Sequence, residues 1–400
     1  MRDIVVVGAG MAGLSAAETL RAEGYDGRLT LVGAERHLPY SRPPLSKHVL
    51  SGKEEPASTA LRAEGHYDGL RLDLRIGRRA TALDTTARTV TLDDAGKIHY
   101  DGLIIATGAT PRRLPGTDHL AGVHVLRTLD DCGTLLTELT NGTPRVVVIG
   151  AGFIGSEVAA SARSRGLDVT VVEAAETPLS RVLDPRIGAA CAELHRDNGV
   201  GVHLGVGVTG LEGGPRVEAV RLADGTLIPA DLVVIGVGVA PETAWLADSG
   251  LTIGDGIACD ATCAAGPPGV YAAGDLASWP HPGFGRRLRL EHWTNAGEQA
   301  AAAARNLLAG PDAALPYAPV PYFWSDQYEV KIQLVGLAAP ADTVAFVHGS
   351  PEERRFTAFI GHQGRLVGVL GMRSAAKVMR YRALVAEPTS WADALAAARG

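Results

Sequence analysis

Residues 4–24, IVVVGAGMAGLSAAETLRAEG, return with the same pattern at residues 146–166, VVVIGAGFIGSEVAASARSRG. The two copies share glycines at one constant offset, which pairs Gly8, Gly10, Gly13 and Gly24 with Gly150, Gly152, Gly155 and Gly166. Each copy opens with β-branched residues, which is typical of a strand buried on both faces. Small and apolar residues then predict a helix, and a second strand follows at 29–33 or 169–173. An internal repeat of this kind predicts two strand–helix–strand units of the same design.

The glycines of each copy form G-x-G-x-x-G between the strand and the helix, and an acidic residue follows the second strand. The first glycine allows a tight turn, the second lets a pyrophosphate approach the backbone, and the third lets the helix lie close to the strand. Glu35 and Glu173 stand where a carboxylate would accept hydrogen bonds from a ribose diol. One copy is weak evidence in a chain rich in alanine and glycine, but two complete copies predict two dinucleotide sites. Two dinucleotides suggest a flavin and a nicotinamide, with hydride transfer between them.

Composition narrows the class of protein. The chain has 400 residues, enough for about two or three domains, and its 46% apolar and 20% charged residues exclude a disordered or fibrous chain. The net charge of −6, with both signs mixed along the chain, argues against nucleic-acid binding. No apolar run reaches the roughly 18 residues that span a bilayer, so no membrane segment is predicted. The apolar N-terminus carries three spaced glycines, which favours a strand and helix over a signal peptide and predicts a cytoplasmic protein.

Cysteine and histidine usage excludes further classes. The four cysteines, at positions 132, 191, 259 and 263, are too few for a disulfide-rich secreted scaffold and form no C-x-x-C pair. The closest two, Cys259 and Cys263, are expected to be inert small residues. The twelve histidines show no pair at metal-ligand spacing, so no protein-bound metal is predicted.

Eight stretches outside and within the repeats resemble those of the FAD-dependent ferredoxin reductases, the family of putidaredoxin, rubredoxin and aromatic-dioxygenase reductases. In the family's order they are PYSRPPLSK (39–47), IIATGATPRRLPG (104–116), HVLRTLDD (124–131), GAGFIGSE (150–157), VIGVGVAPET (234–243), GVYAAGDLA (269–277), LEHWTNAGEQA (290–300) and PYFWSDQYEVKIQLVG (321–336). The resemblance implies an α/β fold of glutathione-reductase architecture, with two Rossmann-like dinucleotide-binding domains and a C-terminal α+β domain. It implies an FAD domain in two segments, 1–110 and 239–318, an NAD domain at 111–238, and the C-terminal domain at 319–400. In that last domain, alternating patterns predict strands at 356–360 and 366–370, and the Ala-rich end at 390–399 predicts a helix.

The resemblance also implies which residues contact FAD and NADH. In chain order they are Gly8, Gly10, Ala12, Gly13, Glu35, Arg42, Lys47, Ala80, Gly108, Arg127, Gly150, Gly152, Phe153, Ile154, Gly155, Glu157, Glu173, Arg181, Gly238, Asp275, Trp293 and Trp324. By residue type alone, Arg42, Lys47 and Arg127 are ordinary solvated cations, Asp275 is a turn former and tryptophan is a core residue. The surrounding motifs favour cofactor contact, whereas for Trp324 both interpretations stay equally open.

Two of these positions are the predicted catalytic residues. In similar reductases a Lys–Glu pair lies beside the flavin, so we expect Lys47 to pair with Glu157 there. A cation at that place favours the anionic reduced flavin. Glu157 is expected in the first turn of the second repeat's helix, where a carboxylate also favours the helix dipole, so helix capping is its alternative role.

The charges near Glu173 indicate which nucleotide binds, and the absence of a dithiol in the sequence indicates how electrons leave the flavin. Glu173 is followed by Glu176, whereas Arg181 comes only later, and two carboxylates would repel the 2′-phosphate of NADP. NADH is therefore favoured. Glutathione and thioredoxin reductases need a dithiol beside the flavin, but Ser41 follows Pro39 and Tyr40 here, so electrons are expected to leave through the flavin edge.

A flavin can take two electrons as hydride and release them one at a time, as an iron–sulfur acceptor requires. The predicted partner is a small, acidic [2Fe–2S] ferredoxin that serves a haem monooxygenase or a Rieske dioxygenase. Basic residues that could form a docking patch, or be scattered surface charge, are Arg286, Arg287, Arg289, Lys331, Arg373, Lys377, Arg380 and Arg382. Alternative functions are an NADH oxidase or quinone reductase, and a redox-sensing flavoprotein of the apoptosis-inducing-factor type. A monomer or a homodimer is expected.

Overall fold

The computed structural model describes residues 1–117 and 119–399. Its α-helices are α1 (Met11–Ala22), α2 (Glu64–Gly69), α3 (Leu129–Thr140), α4 (Phe153–Ser164), α5 (Pro185–Asp197), α6 (Trp293–Ala309), α7 (Ala375–Arg380), α8 (Arg382–Ala386) and α9 (Trp391–Ala397). Its strands are β1 (Asp3–Val7), β2 (Arg28–Gly33), β3 (Leu72–Ile76), β4 (Ala80–Asp84), β5 (Thr89–Leu92), β6 (Lys97–His99), β7 (Gly102–Ile105), β8 (Ala109–Pro111), β9 (Val123–His124), β10 (Val146–Ile149), β11 (Val169–Glu173), β12 (Gly201–Leu204), β13 (Val208–Gly213), β14 (Val217–Leu222), β15 (Leu227–Pro229), β16 (Leu232–Ile235), β17 (Val239–Pro241), β18 (Ile253–Gly254), β19 (Gly256–Ala258), β20 (Val270–Ala272), β21 (Ala277–His281), β22 (Arg286–Leu288), β23 (Tyr322–Gln327), β24 (Val330–Gly336), β25 (Thr343–Ser350), β26 (Arg355–His362) and β27 (Arg365–Met372). Short π or 3-10 turns lie at Leu45–Val49, Pro56–Thr59 and Ala244–Leu246.

The chain folds into two compact units, each assembled from three separate segments. The first unit contains Met1–Ser41, Thr59–Thr110 and Ala240–Pro321, and the second contains Arg42–Ser58, Pro111–Val239 and Tyr322–Gly400. The division into domains at 110, 238 and 318 stays a prediction. The grouping of the short segment Arg42–Ser58 with the second unit was not foreseen from the sequence.

The first unit is organised by a parallel sheet with the strand order β20-β7-β1-β2-β3. β1 lies between β2 and β7, and its residues from Ile4 to Val7 are at most 2% exposed. The β-branched run predicts burial on both faces, because successive side chains of a strand point to opposite faces and all of these are apolar. Both faces are therefore more stable when they are removed from water. Helices α1 and α6 pack against each other. Smaller sheets, β4-β5-β6 and β18-β19-β21-β22, complete this unit.

The second unit repeats that design and adds a further sheet. Its parallel sheet has the order β12-β11-β10-β16-β9, with β10 between β11 and β16 as β1 lies between β2 and β7. Both glycine loops therefore leave the carboxyl end of an inner strand, which is where open parallel sheets bind ligands. The antiparallel strands β13-β14-β15 pack against this sheet through apolar side chains.

The chain ends in an antiparallel sheet of order β23-β24-β27-β26-β25. Helices α7 and α8 contact β24 and β27, and α5 packs its buried side chains against the same sheet. The predicted strands 356–360 and 366–370 lie within β26 and β27, and the predicted terminal helix contains α9. Two Rossmann-like sheets followed by an α+β region confirm the predicted fold class. Over residues 1–117 and 119–399, no helix has the length and apolar character needed to cross a bilayer.

Candidate active site

The first glycine loop is packed tightly on its protein side and open on the other. A side chain at Gly8 (φ +116°) would place its Cβ 2.1 Å from the carbonyl oxygen of Ala106, and one at Gly13 would place its Cβ 1.7 Å from that of Gly8. Gly10, in contrast, has no atom within 4 Å of its hypothetical Cβ and precedes α1 without a side-chain cap. The amides that begin α1 are therefore available to an anion, and the loop fits a pyrophosphate.

The second glycine loop reproduces this geometry. Gly150 (φ +100°) could not carry a Cβ, which would lie 2.5 Å from the carbonyl oxygen of Gly236, and at Gly155 the Cβ would lie 2.0 Å from that of Gly150. Gly152 precedes α4 without a side-chain cap, and the nearest atom to its hypothetical Cβ is 3.9 Å away. The predicted repeat is thus a repeat of structure, and this loop also fits a dinucleotide phosphate.

The two predicted ribose acids lie at or just after the ends of the second strands: Glu173 is the last residue of β11, and Glu35 follows the end of β2 by two residues. Glu173 Oε2 accepts a hydrogen bond from the amide of Ala151 (2.7 Å) and Oε1 accepts one from Ala175 (3.0 Å). A carboxylate has about four lone-pair sites, so Glu173 keeps acceptor capacity for a diol. Glu35 accepts a hydrogen bond from the hydroxyl of Tyr40. Glu173 is thereby oriented beside the loop of its own repeat, and Glu35 is oriented by Tyr40.

Further predicted FAD contacts gather around the start of α1. The Cβ of Ala12 lies 3.2 Å from where a Cβ on Gly274 would stand, so the turn that carries Asp275 approaches the first turn of α1. The amide of Gly274 donates to Gln299 Oε1 (2.8 Å), which fixes that turn to α6, the helix that begins at Trp293. The structure therefore brings the Asp275 turn into contact with both helices.

Gly108 and Ala80 lie near the other predicted positions of the first unit. Gly108 (φ +73°) follows β7, the neighbour of β1, and its carbonyl accepts a hydrogen bond from the amide of Glu242 (2.9 Å). Ala80 begins β4 and is buried. It follows a turn in which the amide of Gly77 donates to the carbonyl of Glu35 (2.9 Å). Both residues thus stand beside strand ends that bear predicted FAD ligands.

The predicted Lys47–Glu157 pair is present. Lys47 Nζ lies 2.8 Å from Glu157 Oε2, and the two side chains are only 9% and 1% exposed. The expected position of Glu157 in the first helical turn is wrong, because α4 begins at Phe153 and its first turn carries no acidic residue. Glu157 is one turn further along the helix, so its charge does not serve as a helix cap.

Arg42 and Arg127 are also brought together in the second unit. The guanidinium of Arg42 donates a hydrogen bond to the carbonyl of Arg127 (2.7 Å). Arg127 directly precedes Thr128, the N-cap residue of α3, and Thr128 and Asp131 cap this helix with reciprocal hydrogen bonds. The cap fixes the chain at this point, and with it the carbonyl that Arg42 contacts.

The remaining predicted positions lie in the second unit, two of them in the first turn of α4. The ring of Phe153 packs against that of Phe323, with 4.2 Å between centroids, whereas the side chain of Ile154 is 48% exposed. Gly238 (φ +102°) lies beside Arg181, whose guanidinium nitrogen is 4.0 Å from the hypothetical glycine Cβ. The half-buried Trp324 stacks on Tyr322, with 6.0 Å between their rings.

The four cysteines are free and buried. Burial raises the pKa of Cys132 to about 11 and those of Cys191 and Cys259 to about 12, and it also raises the pKa of Cys263. These thiols stay protonated at neutral pH and are poor nucleophiles. In the described part of the chain, no group of three or more His, Cys, Asp or Glu side chains is placed to hold a metal ion.

Comparison with known families decides the class of the protein. The family described as pyridine nucleotide-disulphide oxidoreductase matches residues 2–300, and the family described as reductase C-terminal matches residues 322–399. The chain belongs to the pyridine nucleotide-disulphide oxidoreductase family. The predicted membership is confirmed, and the second match covers the terminal sheet and helices.

Relatives match nearly the whole chain. It is 40% identical to rhodocoxin reductase of Rhodococcus erythropolis, over 96% of this chain and 89% of the relative. It is 38% identical to the ferredoxin–NAD(+) reductase component of the anthranilate 1,2-dioxygenase system of Burkholderia cepacia, over 96% and 93%. Among solved structures it is similar to the ferredoxin reductase for the CYP199A2 system from Rhodopseudomonas palustris (39% identity, TM-score 0.91, 98% and 97% coverage). It is also similar to the covalent putidaredoxin reductase–putidaredoxin complex (33% identity, TM-score 0.92, 100% and 99% coverage).

Sequence reasoning missed two residues at the Lys47–Glu157 pair. Ser46 and Ser325 each place a hydroxyl 2.6 Å from the carboxylate of Glu157. Both serines lie inside stretches that resemble the family, directly beside Lys47 and Trp324 in sequence. A serine carries no signal by residue type, and only the fold shows that these two face a buried charge.

Proposed function

We propose that this protein is an NADH-dependent FAD flavoprotein that reduces a [2Fe–2S] ferredoxin, which in turn serves a haem monooxygenase or a Rieske dioxygenase. The observation that carries the proposal is the buried pair between Lys47 and Glu157. Glu157 belongs to α4, the helix whose open N-terminus suits the second dinucleotide. A preorganised cation in a site that excludes water can stabilise negative charge that develops during hydride transfer, and the buried partner carboxylate would hold such a cation in place. The similarity to rhodocoxin reductase and to the ferredoxin–NAD(+) reductase component of the anthranilate 1,2-dioxygenase system supports the same assignment.

FAD, when bound, accepts a hydride from NADH and passes the two electrons on singly. The amides at Gly10 and the start of α1 would bind its pyrophosphate, since that end of the loop is open. Glu35 would accept from the adenosine ribose, and Asp275 would hold the ribityl hydroxyls. Arg42, Arg127 and the two tryptophans 293 and 324 remain proposed FAD contacts.

NADH would bind on the second parallel sheet, with its pyrophosphate at the amides that follow Gly152. Glu173 would accept the hydroxyls of the adenosine ribose. Glu176 adds a second carboxylate to the same strand end, and its Oε1 lies 3.0 Å from the position of a Cβ on Gly205 at the end of β12. Two negative charges there oppose a 2′-phosphate, whereas Arg181 lies beside Gly238. The arrangement supports NADH over NADPH.

The chain's own contribution to the reaction lies in Lys47 and Glu157. Glu157 lies in a site closed to water and keeps the ammonium of Lys47 in one place. The Nζ of Lys47 also donates to the carbonyl of Pro43 (3.3 Å), and the third hydrogen of the ammonium would be the one available to a ligand. A fixed positive charge would stabilise the negative charge that develops as hydride arrives.

Two of the predicted docking cations are already paired with acidic side chains of the chain itself. The side chain of Arg289 is only 14% exposed and pairs with Asp255 (2.8 Å) and Glu291 (2.7 Å), which argues against its use in docking. Lys331 is exposed but is paired with Asp326 (2.7 Å), whose negative charge compensates its positive charge at the surface.

Arg373 and Lys377 line an open cleft of about 320 Å³ in the second unit, together with Arg355, against one acidic side chain, that of Glu353. Burial and the positive charges of Lys377 and Arg380 lower the pKa of His348 in the same cleft. We place the acidic face of the ferredoxin at this cleft.

The docking proposal is tested with the variant Arg373→Ala/Lys377→Ala. We expect the KM for an acidic [2Fe–2S] ferredoxin to rise several-fold and its dependence on salt to flatten, because charge steers the encounter. The matched control is Arg75→Ala/Arg305→Ala, which removes two exposed cations that are paired with Asp73 and Glu23. Equal effects in both variants would refute the assigned cleft.

The reaction itself is tested by NADH-dependent cytochrome c reduction, with and without an added [2Fe–2S] ferredoxin. A large increase on adding ferredoxin is expected. Rapid bleaching of the flavin by NADH without any such increase, over several ferredoxins, would overturn the proposal. We further propose that the protein acts in the cytoplasm as a monomer or a homodimer, which size-exclusion chromatography with light scattering would distinguish.

A further inference from the structure

The carboxylate of Glu157 is held at both oxygens by side chains from two other segments of the chain. Oε2 accepts from Lys47 Nζ (2.8 Å) and from Ser46 Oγ (2.6 Å), and Oε1 accepts from Ser325 Oγ (2.6 Å). Ser46 and Ser325 are only 3% and 0% exposed. A buried charge is stable only when its oxygens are satisfied, and bonds to a charged acceptor are the strong ones. The orientation of the carboxylate therefore depends on both serines.

The hydroxyl of Ser325 has a fixed direction. Gln327 Nε2 donates to Ser325 Oγ (3.4 Å), and the side chain of Gln327 is also fully buried. A serine hydroxyl has one hydrogen and two lone pairs, so the amide of Gln327 uses a lone pair and the hydrogen is left for Glu157. Gln327 thus orients Ser325 as a donor to Glu157.

Strand β23 and helix α4 are matched in spacing. Phe153 contacts Phe323, and one helical turn later Glu157 contacts Ser325, two residues further along the strand. The side chains of residues i and i+4 lie on one face of a helix, and those of i and i+2 lie on one face of a strand. Trp324 lies between the two contact residues and stacks on Tyr322, on the opposite face of β23. The strand that bears a proposed flavin contact therefore also holds the carboxylate that orients Lys47.

We propose that Ser325 is a positioning residue for hydride transfer, acting through the Lys47–Glu157 pair. By holding Oε1 of Glu157, it leaves Oε2 directed at Lys47 and so fixes the place of the ammonium. The terminal torsion of a glutamate is broad, so without this bond the carboxylate can rotate and the long side chain of Lys47 can follow it. Small displacements of a positioned charge reduce rates strongly. The inference rests on the proposed function, in which Lys47 acts on the reacting flavin.

The test compares Ser325→Ala, Ser325→Thr and Lys47→Ala in the FAD-loaded protein. The matched control is Ser156→Ala, which removes a fully buried hydroxyl next to Glu157 on α4 that makes no hydrogen bond within the described residues. Anaerobic stopped-flow spectroscopy gives the rate of flavin reduction at saturating NADH. Spectroelectrochemistry gives the midpoint potential of the flavin, calorimetry gives the affinity for NAD⁺, and thermal unfolding gives the stability of each variant.

For Ser325→Ala we expect reduction to be about tenfold slower and the midpoint potential to fall, with NAD⁺ affinity unchanged. Ser325→Thr restores the rate because it restores the hydroxyl, and Ser156→Ala behaves as wild type. Adding Ser325→Ala to Lys47→Ala causes no further loss, since both act through one pair.

Two results would overturn the inference: a wild-type rate and potential in Ser325→Ala whatever its melting temperature, or losses that multiply in the double variant. Unchanged flavin reduction in Lys47→Ala would overturn the proposed role of the pair itself, and this inference with it.

Discussion

Removal of one charge from the buried Lys47–Glu157 pair should lower the free energy of unfolding far more than removal of one charge from an exposed ion pair. Lys47→Met keeps most of the aliphatic stem and deletes the charge, which leaves Glu157, at 1% exposure, with the hydroxyls of Ser46 and Ser325 as its donors. Breaking a buried pair typically costs about 3–5 kcal/mol, because the remaining charge is not compensated. The two serine hydroxyls offset part of this, so we expect a loss of about 2–4 kcal/mol.

Lys53→Met is the matched control in the same segment. Its ammonium lies 3.5 Å from Glu329, but the two side chains are 57% and 87% exposed, and pairs of this kind contribute about 0–1 kcal/mol. Thermal unfolding of the FAD-loaded protein measures both effects. For a folding unit of about 200 residues, the loss in Lys47→Met corresponds to a fall of roughly 5–15 °C in Tm, and the loss in Lys53→Met to at most a few degrees. Equal shifts in the two variants would refute the view that burial makes the first pair energetically distinct.

Three further predictions follow from the described contacts. Gly150→Ala should weaken NADH binding at least tenfold while FAD is retained, because the added Cβ would collide with the carbonyl of Gly236. The control Gly65→Ala on α2, which has no atom within 4 Å of the added Cβ, should bind NADH as the wild type does, and equilibrium titration with NADH compares the two variants. Burial lowers the pKa of His195 to about 4 from the ordinary 6.5, so between these pH values the unfolded chain binds more protons than the folded protein, and stability should fall as pH decreases from 6.5 to 4. His195→Gln should flatten this part of the stability–pH curve by up to about 3 kcal/mol, and an unchanged curve would contradict the prediction. Ellman's reagent should modify none of the four cysteines rapidly in the folded protein and all four after unfolding, and rapid modification with loss of activity would contradict the inert role assigned to them.

The parts of the fold that follow local stereochemistry could be predicted from the sequence. The glycines of both repeats are required by backbone positions that no side chain can occupy, as at Gly8 and Gly150, so the loop, the preceding strand and the following helix are all specified by a short pattern. The family resemblance then placed Lys47 with Glu157, residues from distant segments that local patterns do not connect.

The parts that depend on packing between segments could not be predicted. The start of α4 at Phe153 moves Glu157 out of the first turn, and a shift of one or two residues at a helix end is below the precision of sequence patterns. The residue type of Arg289 predicts an exposed cation, but in the fold Arg289 forms ion pairs with two acidic side chains. Ser325 has no chemical signal until Glu157 is seen opposite it.

The matched spacing of β23 and α4 has a consequence for recombining reductases. A chimera that takes its terminal domain from a relative inherits a new β23, and that strand must present an aromatic ring and a hydroxyl two residues apart to meet Phe153 and Glu157. One inserted or deleted residue before Phe323 would turn Trp324 toward α4 and Ser325 away from it, because strand side chains alternate. Domain exchange is therefore constrained by register as much as by residue identity, and a crossover placed after Gln327 keeps the contacts of β23 with Phe153 and Glu157 from one parent.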